Sequence, residues 1–352
     1  MKAFVFEGPG KASLKEVPKP EFKGKGALVK IKTTSICATD IKIFKNGHFK
    51  IKDGEKRILG HEIFAEVLEI SEKYKDTVPV GSKVFITPNI GCGRCEYCLM
   101  GKTNLCPDYD AFGITIDGSF AEYMFVPERA LEQGNLIPLE GDVPDYLVPL
   151  AEPLSTCLYN LDNVDMKVGD TVLVIGSGFM GLLNAISAKI SGASFVATVD
   201  VRDERLEVAR DLGMDYQINS SREDLEKVVK RITGGRNFDI VIVTVPLPEV
   251  QSISLKLVSR MGKVSFFAGL PSGSGFPSLN TNLVHYQQLT LTGTTGADTV
   301  FYRKALRMIT HRGDLRNMLE KLITTIVSLE QMEEAFLRAV KGEELKVVVR
   351  NE

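Results

Sequence analysis

The sequence predicts an α/β protein of two domains, one a doubly wound parallel sheet and the other β-rich. Three observations carry that expectation. A chain of 352 residues is longer than one compact core accommodates. Near its middle, in "DTVLVIGSGFMGLLNAISAKISGASFVATVD", a glycine-spaced turn joins an apolar strand to a helix. The residues before that turn read instead as short alternating strands, frequent turns and a cysteine-rich loop.

Composition narrows the function classes. With 44% apolar and 25% charged residues the chain is globular, and a net charge of -2 gives no electrostatic reason to expect nucleic acid as partner. The N-terminus "MKAFVFEGPGKASLKEV" lacks an apolar segment ending in a small-residue cleavage site, so the expected location is cytoplasmic. The uncharged run from Thr171 to Ala188 has membrane-like length, but its glycines and polar residues suit a strand-turn-helix better. No membrane partner is expected.

In chain order, "ALVKIKTTSI" and "SKVFITPNI" alternate as half-buried strands. Between them lie Cys37 in "SICATDIKIF" and His61 and Glu62 in "LGHEIFAEVLEI". A thiolate, an imidazole and a carboxylate make a three-ligand zinc site with one position open to an oxygen ligand. Each is weak alone, since a lone cysteine is usually a small buried hydrophobe.

Cys92, Cys95, Cys98 and Cys106 follow, spaced C-x2-C-x2-C-x7-C in a glycine-rich loop. Such spacing in an expected cytosolic chain favours structural zinc over disulfides, and four thiolates leave that metal no open position. Two alternatives stand beside it. An iron–sulfur cluster shares the Cys-Pro ending seen at Pro107 but has a last gap of three residues, not seven; the other is a set of unliganded buried thiols.

The apolar strand Val172 to Ile175 then turns through Gly176, Gly178 and Gly181 into a helix, and a second apolar strand ends at Asp200. In that setting G-x-G-x-x-G marks a Rossmann dinucleotide site: one glycine for the turn, one for approach to the pyrophosphate, one for helix–strand packing. Asp200 would bind the ribose hydroxyls and repel a 2′-phosphate, which favours NAD over NADP. Arg202 could tolerate NADP. "FDIVIVTV" (Phe238 to Val245), "GKVSFFAGL" (Gly262 to Leu270) and "LTLTGTT" (Leu289 to Thr295) continue the βα alternation, and "LKVVVR" reads as a last strand.

The order "SICATD", "GHE", four-cysteine loop, "AEPLS", glycine turn resembles the zinc-dependent medium-chain alcohol dehydrogenases, over nearly the whole chain, and more closely their sorbitol and threonine dehydrogenase branch. The resemblance implies a GroES-like catalytic domain over 1–154, a Rossmann domain over 155–292 and a return to the first domain over 293–352. It also implies two zincs per chain, one catalytic and one structural, and a homo-oligomer, tetramer or dimer.

Carried over by residue, the resemblance makes Cys37, His61 and Glu152 catalytic zinc ligands. Glu62 is then an adjacent carboxylate that ligates directly or through water, and Asp40 orients the histidine while also able to cap a helix. Thr39 takes the hydroxyl position that passes a proton outward, Arg205 reaches the ribose, and Cys157 is a bystander. The chain departs from the pattern at four positions. Lys42 stands where many relatives continue the relay with histidine, so Lys42, water or His48 must serve; Ala65 replaces a glycine; Gly296 and Ile43 stand where sorbitol dehydrogenases have arginine and tyrosine.

The expected reaction is hydride transfer from a secondary hydroxyl of a small polyol, cyclitol or sugar derivative to NAD. The basic loop "KIFKNGHFKIKDGEKR", whose "IFKNG" resembles galactitol-phosphate dehydrogenases, makes a polyol phosphate an alternative, as is L-threonine. A reading from another class is a zinc- and nucleotide-binding protein without catalysis.

Overall fold

Strand Thr171–Ile175 lies at the centre of a six-stranded parallel sheet in the computed structural model, which describes residues 1–271 and 273–351. The strand order is Tyr216–Asn219, Phe195–Asp200, Thr171–Ile175, Phe238–Val243, Val258–Phe266, Thr290–Gly293. Helices between successive strands make the crossovers, and the central strands Thr171–Ile175 and Phe238–Val243 are largely Val, Ile and Leu because both their faces are covered. The order reverses beside Thr171–Ile175, the switch point at which such sheets bind ligands.

Two of these strands differ from the sequence expectation. Phe238–Val243 stops before Thr244, whose hydroxyl turns to donate to the Ile175 carbonyl at 2.9 Å. Val258–Phe266 starts four residues earlier than Gly262, because its register jumps from Phe238↔Val258 to Ile240↔Lys263. The extra residues form a bulge in which Met261 has φ 60° and faces solvent.

The chain divides into two units, Thr156–Gly296 carrying this sheet, and Met1–Ser155 together with the residues from Ala297 onward. The second unit is built on an open sheet ordered Leu136–Pro138, Lys83–Ile86, Glu62–Ile70, Ala27–Ser35, Val347–Arg350, Thr325–Ser328, with Tyr123–Val126 also paired to Ala27–Ser35. Alternate residues Ala27, Val29 and Ile31 meet Ile63, Ala65 and Val67 in one core, as a two-residue period requires. A smaller sheet, Lys11–Glu16, Lys2–Gly8 and Arg57–Ile58, covers a second core around Phe4, Phe6, Phe120 and Phe336.

Val347–Arg350 runs antiparallel to Ala27–Ser35 and parallel to Thr325–Ser328, so the end of the chain completes the sheet begun by its start. Among the described residues no helix is long and apolar enough to cross a membrane. The uncharged run from Thr171 is a strand followed by helix Phe179–Ile190.

Candidate functional site

The four-cysteine loop gathers its sulfurs. Cys95 and Cys106 Sγ are 3.7 Å apart and Cys92 and Cys98 Sγ 4.0 Å. Thiolates about 2.3 Å from a tetrahedral zinc lie about 3.8 Å from one another, so the donor set fits that ion. Backbone N–H groups of Cys92, Cys95 and Cys98 donate to neighbouring sulfurs at 3.3 to 3.4 Å. Donors from Arg94 and Cys95 pull the Cys92 thiol down to about 6, whereas burial pushes Cys98 up to about 12. No backbone bulk can be added beneath the site: a Cβ on Gly91 would come within 2.6 Å of Cys98 Sγ.

A second set of donors forms where Ala27–Ser35 and Glu62–Ile70 end side by side. Cys37 caps helix Ala38–Asn46, His61 immediately precedes Glu62–Ile70, and Cys37, His61 and Glu62 bring ligand atoms within 4.8 Å of one another. Gly60 makes this approach possible. It has φ 93°, and any Cβ there would strike the Phe120 ring.

Asp40 is buried and serves both roles read for it in sequence. One oxygen accepts the Cys37 N–H at 2.9 Å, and the other accepts the Gly60 N–H at 3.3 Å. That second oxygen also lies 3.2 Å from His61 Nδ1, an electrostatic contact without hydrogen-bond alignment. Burial alone would keep the imidazole neutral, but Asp40 and Cys37 outweigh it and hold the His61 pKa well above the ordinary histidine value.

Glu62 is tied down more firmly than its place beside His61 suggested. Lys346, itself buried, donates to one carboxylate oxygen at 2.7 Å and lies 2.5 Å from the other; Ser35 Oγ also donates to Glu62. Lys346 makes a third contact, to the Ile36 carbonyl at 3.0 Å. The sequence reading missed Lys346. Its only signal was a lysine heading the apolar run of the last strand.

Glu152 opens helix Ala151–Asn163 and is buried, but it is not one of the three donors within 4.8 Å. Burial pushes its carboxyl up to about 7; the charges of Glu62 and Asp40 add to that rise, while His61 and Lys346 oppose it. Three carboxylates and a thiol therefore share a buried region with one imidazole and one ammonium. Such a region accommodates a divalent cation, and the donor types suit zinc.

The remaining expected residues fall on the same helix or the loop after it. Thr39 is half-buried in the first turn of Ala38–Asn46, and Lys42, one turn on, is exposed. Burial and the charges of Lys50 and Lys42 hold His48 below the ordinary histidine pKa. Lys50 is engaged elsewhere, 3.4 Å above the centre of the Tyr109 ring. Ile43, at the position expected to hold tyrosine in sorbitol dehydrogenases, is buried in the core with Phe4 and Phe336. Ala65 is fully buried in the other core beside Ile63 and Val67.

In the other unit the glycine turn has the geometry of a phosphate cradle. Gly176 has φ 101° and donates to the Val199 carbonyl at 2.7 Å. Gly178 caps helix Phe179–Ile190, and a Cβ on Gly181 would fall on the Gly176 carbonyl oxygen. Asp200 ends the neighbouring strand. It accepts from the Ser177 N–H at 2.7 Å and the Val201 N–H at 2.8 Å, with Arg205 Nη1 3.9 Å away. Arg202 turns instead to Glu204, at 2.6 Å.

Comparison with known proteins follows the same division. The alcohol dehydrogenase GroES-like domain matches residues 23–137 and the zinc-binding dehydrogenase domain matches 180–311. An L-threonine 3-dehydrogenase of Symbiobacterium thermophilum is 31% identical over 97% of this chain and 95% of its own. A sorbitol dehydrogenase of Bacillus subtilis is 29% identical over 99% and 97%. Among solved structures, galactitol-1-phosphate dehydrogenase from Escherichia coli superposes with a TM-score of 0.89 at 25% identity, covering 100% of both chains. With its thiol-rich loop, its mixed thiol, imidazole and carboxylate cluster and its glycine cradle, the chain belongs to the zinc-dependent medium-chain alcohol dehydrogenases.

Proposed function

We propose that the protein oxidises a secondary hydroxyl of a polyol, cyclitol or sugar derivative, with NAD as hydride acceptor and two zincs per chain. The observation that carries this reading is the approach of Cys37, His61 and Glu62 within 4.8 Å, with Asp40 behind the histidine. Cys37 and His61 would hold the catalytic zinc together with Glu152 or Glu62; Cys92, Cys95, Cys98 and Cys106 would hold the structural one. When bound, the catalytic zinc supplies Lewis acidity that makes an alcohol proton easier to remove.

The chain's own residues do the rest. Asp40, 3.2 Å from His61 Nδ1, would orient the ring electrostatically, with Nε2 as the nitrogen offered to a bound cation. Thr39 Oγ1 would take the proton from the substrate's hydroxyl oxygen and hand it toward solvent, and NAD, when bound, would supply the acceptor for the hydride lost from the carbon that bears that oxygen. Lys42, exposed one turn further, is placed to carry the proton out. Lys346 keeps the charge of Glu62 compensated when no cation is near. The carboxylate of Asp200 and the pairing of Arg202 with Glu204 support NAD over NADP.

A second substrate reading is a polyol phosphate, supported by the lysines of the Lys42 to Arg57 loop and by the likeness to galactitol-1-phosphate dehydrogenase. The test is NADH formation by the zinc-loaded protein over free and phosphorylated polyols, cyclitols, L-threonine and simple alcohols. Activity confined to phosphorylated polyols would replace the first reading with the second. Activity on L-threonine alone would overturn both. Cys37→Ala should lose one zinc per chain and at least about 100-fold in kcat/KM on whichever substrate responds.

A further inference from the structure

The four-cysteine loop is joined to more than its own metal. Lys102 lies between Cys98 and Cys106, and its ammonium reaches Asp298 Oδ2 at 2.8 Å. Asp298 is buried. Its other oxygen caps helix Thr299–His311 by accepting from the Val300 and Phe301 N–H groups at 3.0 and 3.2 Å. One carboxylate thus both receives the loop's lysine and fixes the helix start.

Tyr302 is carried one turn into that helix and is fully buried. Its hydroxyl accepts from Asn89 Nδ2 at 3.1 Å, on the strand that leads into the cysteine loop. The same helix packs against the turn Asp145–Leu150, which runs directly into Glu152. Burial first, and the nearby charge of Glu152 second, hold the Tyr302 proton on well above the ordinary phenol range.

We propose that the four-cysteine lobe positions the candidate catalytic centre: Lys102 holds Asp298, Asp298 sets the first turn of its helix, Tyr302 anchors that helix to Asn89, and the helix braces the turn Asp145–Leu150 that leads into Glu152. Lys102, Asp298 and Tyr302 are positioning residues; none touches substrate. The inference rests on reading Glu152 as a carboxylate of the metal centre.

The test uses protein with zinc in the four-cysteine site and cobalt exchanged into the Cys37 and His61 site, read by the visible cobalt absorption and by cobalt retention against a chelator. Lys102→Met should shift the cobalt band and weaken cobalt retention on the order of 10-fold, the usual scale for residues behind a ligand, while the four-cysteine zinc stays at one per chain. Lys102→Arg should restore both. Asp298→Asn keeps the helix cap and removes the charge, and should reproduce the shift even if the lysine variant folds poorly.

An unchanged band and retention in either folded variant would overturn the proposal. So would parallel losses at both metal sites with no rescue by arginine, the behaviour of a merely destabilised lobe. Failure of the underlying reading looks different: the unsubstituted protein would show no cobalt band that Cys37→Ala abolishes.

Discussion

Lys346 shows most clearly what one side chain contributes. It neutralises a fully buried Glu62 from 284 residues away in sequence. Removing one partner of a buried pair leaves an uncompensated charge, so Lys346→Met should cost about 3–5 kcal/mol by denaturant unfolding. Lys346→Met combined with Glu62→Gln should recover much of that loss, and an additive pair of losses would show that the two do not act together. Cys37, His61 and Glu62 were legible as candidate ligands, and Asp40 as the carboxylate beside them, because each sits in a short local pattern, a helix cap or a glycine-led strand start. Lys346 and Tyr302 were not, because their roles come only from strand pairing and helix docking across the length of the chain.

At the level of single elements, the glycine turn makes a prediction that separates fold from function. A Cβ on Gly181 collides with the Gly176 carbonyl, whereas a Cβ on Gly178 meets only Arg205 Nη1, at 3.5 Å. Gly181→Ala should therefore lower the melting temperature; Gly178→Ala should leave it unchanged yet weaken NADH binding in a fluorescence titration, because the methyl group intrudes where the pyrophosphate approaches. The strand Lys2–Gly8 makes another. Lys15 and Lys56 hold Glu7 down to about 2, and Lys2 does the same for Glu330. Both carboxyls are depressed by folding, so their stabilisation is full above the ordinary value of 4.5 and disappears as pH falls from there toward about 2. Glu330→Gln should flatten the fall in melting temperature over that window. The difference should be small and should shrink in high salt, since the Glu330 carboxylate is exposed to solvent. Strand positions were legible from apolar runs. The bulge at Met261 was not, because three extra residues on one strand leave no mark in the pattern of apolar positions.

Across the whole molecule, two kinds of sheet answer to two kinds of sequence pattern: apolar runs in the central strands of the parallel sheet of Thr156–Gly296 and two-residue alternation in the antiparallel strands of the other unit. Both were readable before any coordinate, as was the last strand; its partner was not, since nothing in "LKVVVR" says that it will lie against Ala27–Ser35. Deleting the residues from Val347 onward should therefore unfold the unit that contains the N-terminus, seen as loss of protease resistance in Met1–Ser155, while Thr156–Gly296 still binds NADH. The same pairing orders events at the ribosome. The unit that contains Met1–Ser155 cannot close its sheet until Val347–Arg350 has been translated, whereas Thr156–Gly296 is synthesised whole before then. For the time it takes to synthesise the last fifty or so residues, on the order of 3–10 seconds at usual elongation rates, a nascent chain would carry a finished nucleotide-binding half and an open, thiol-bearing half. Over that interval the early half exposes an unfinished sheet edge and its apolar strands, the state in which nascent chains are prone to misassociate.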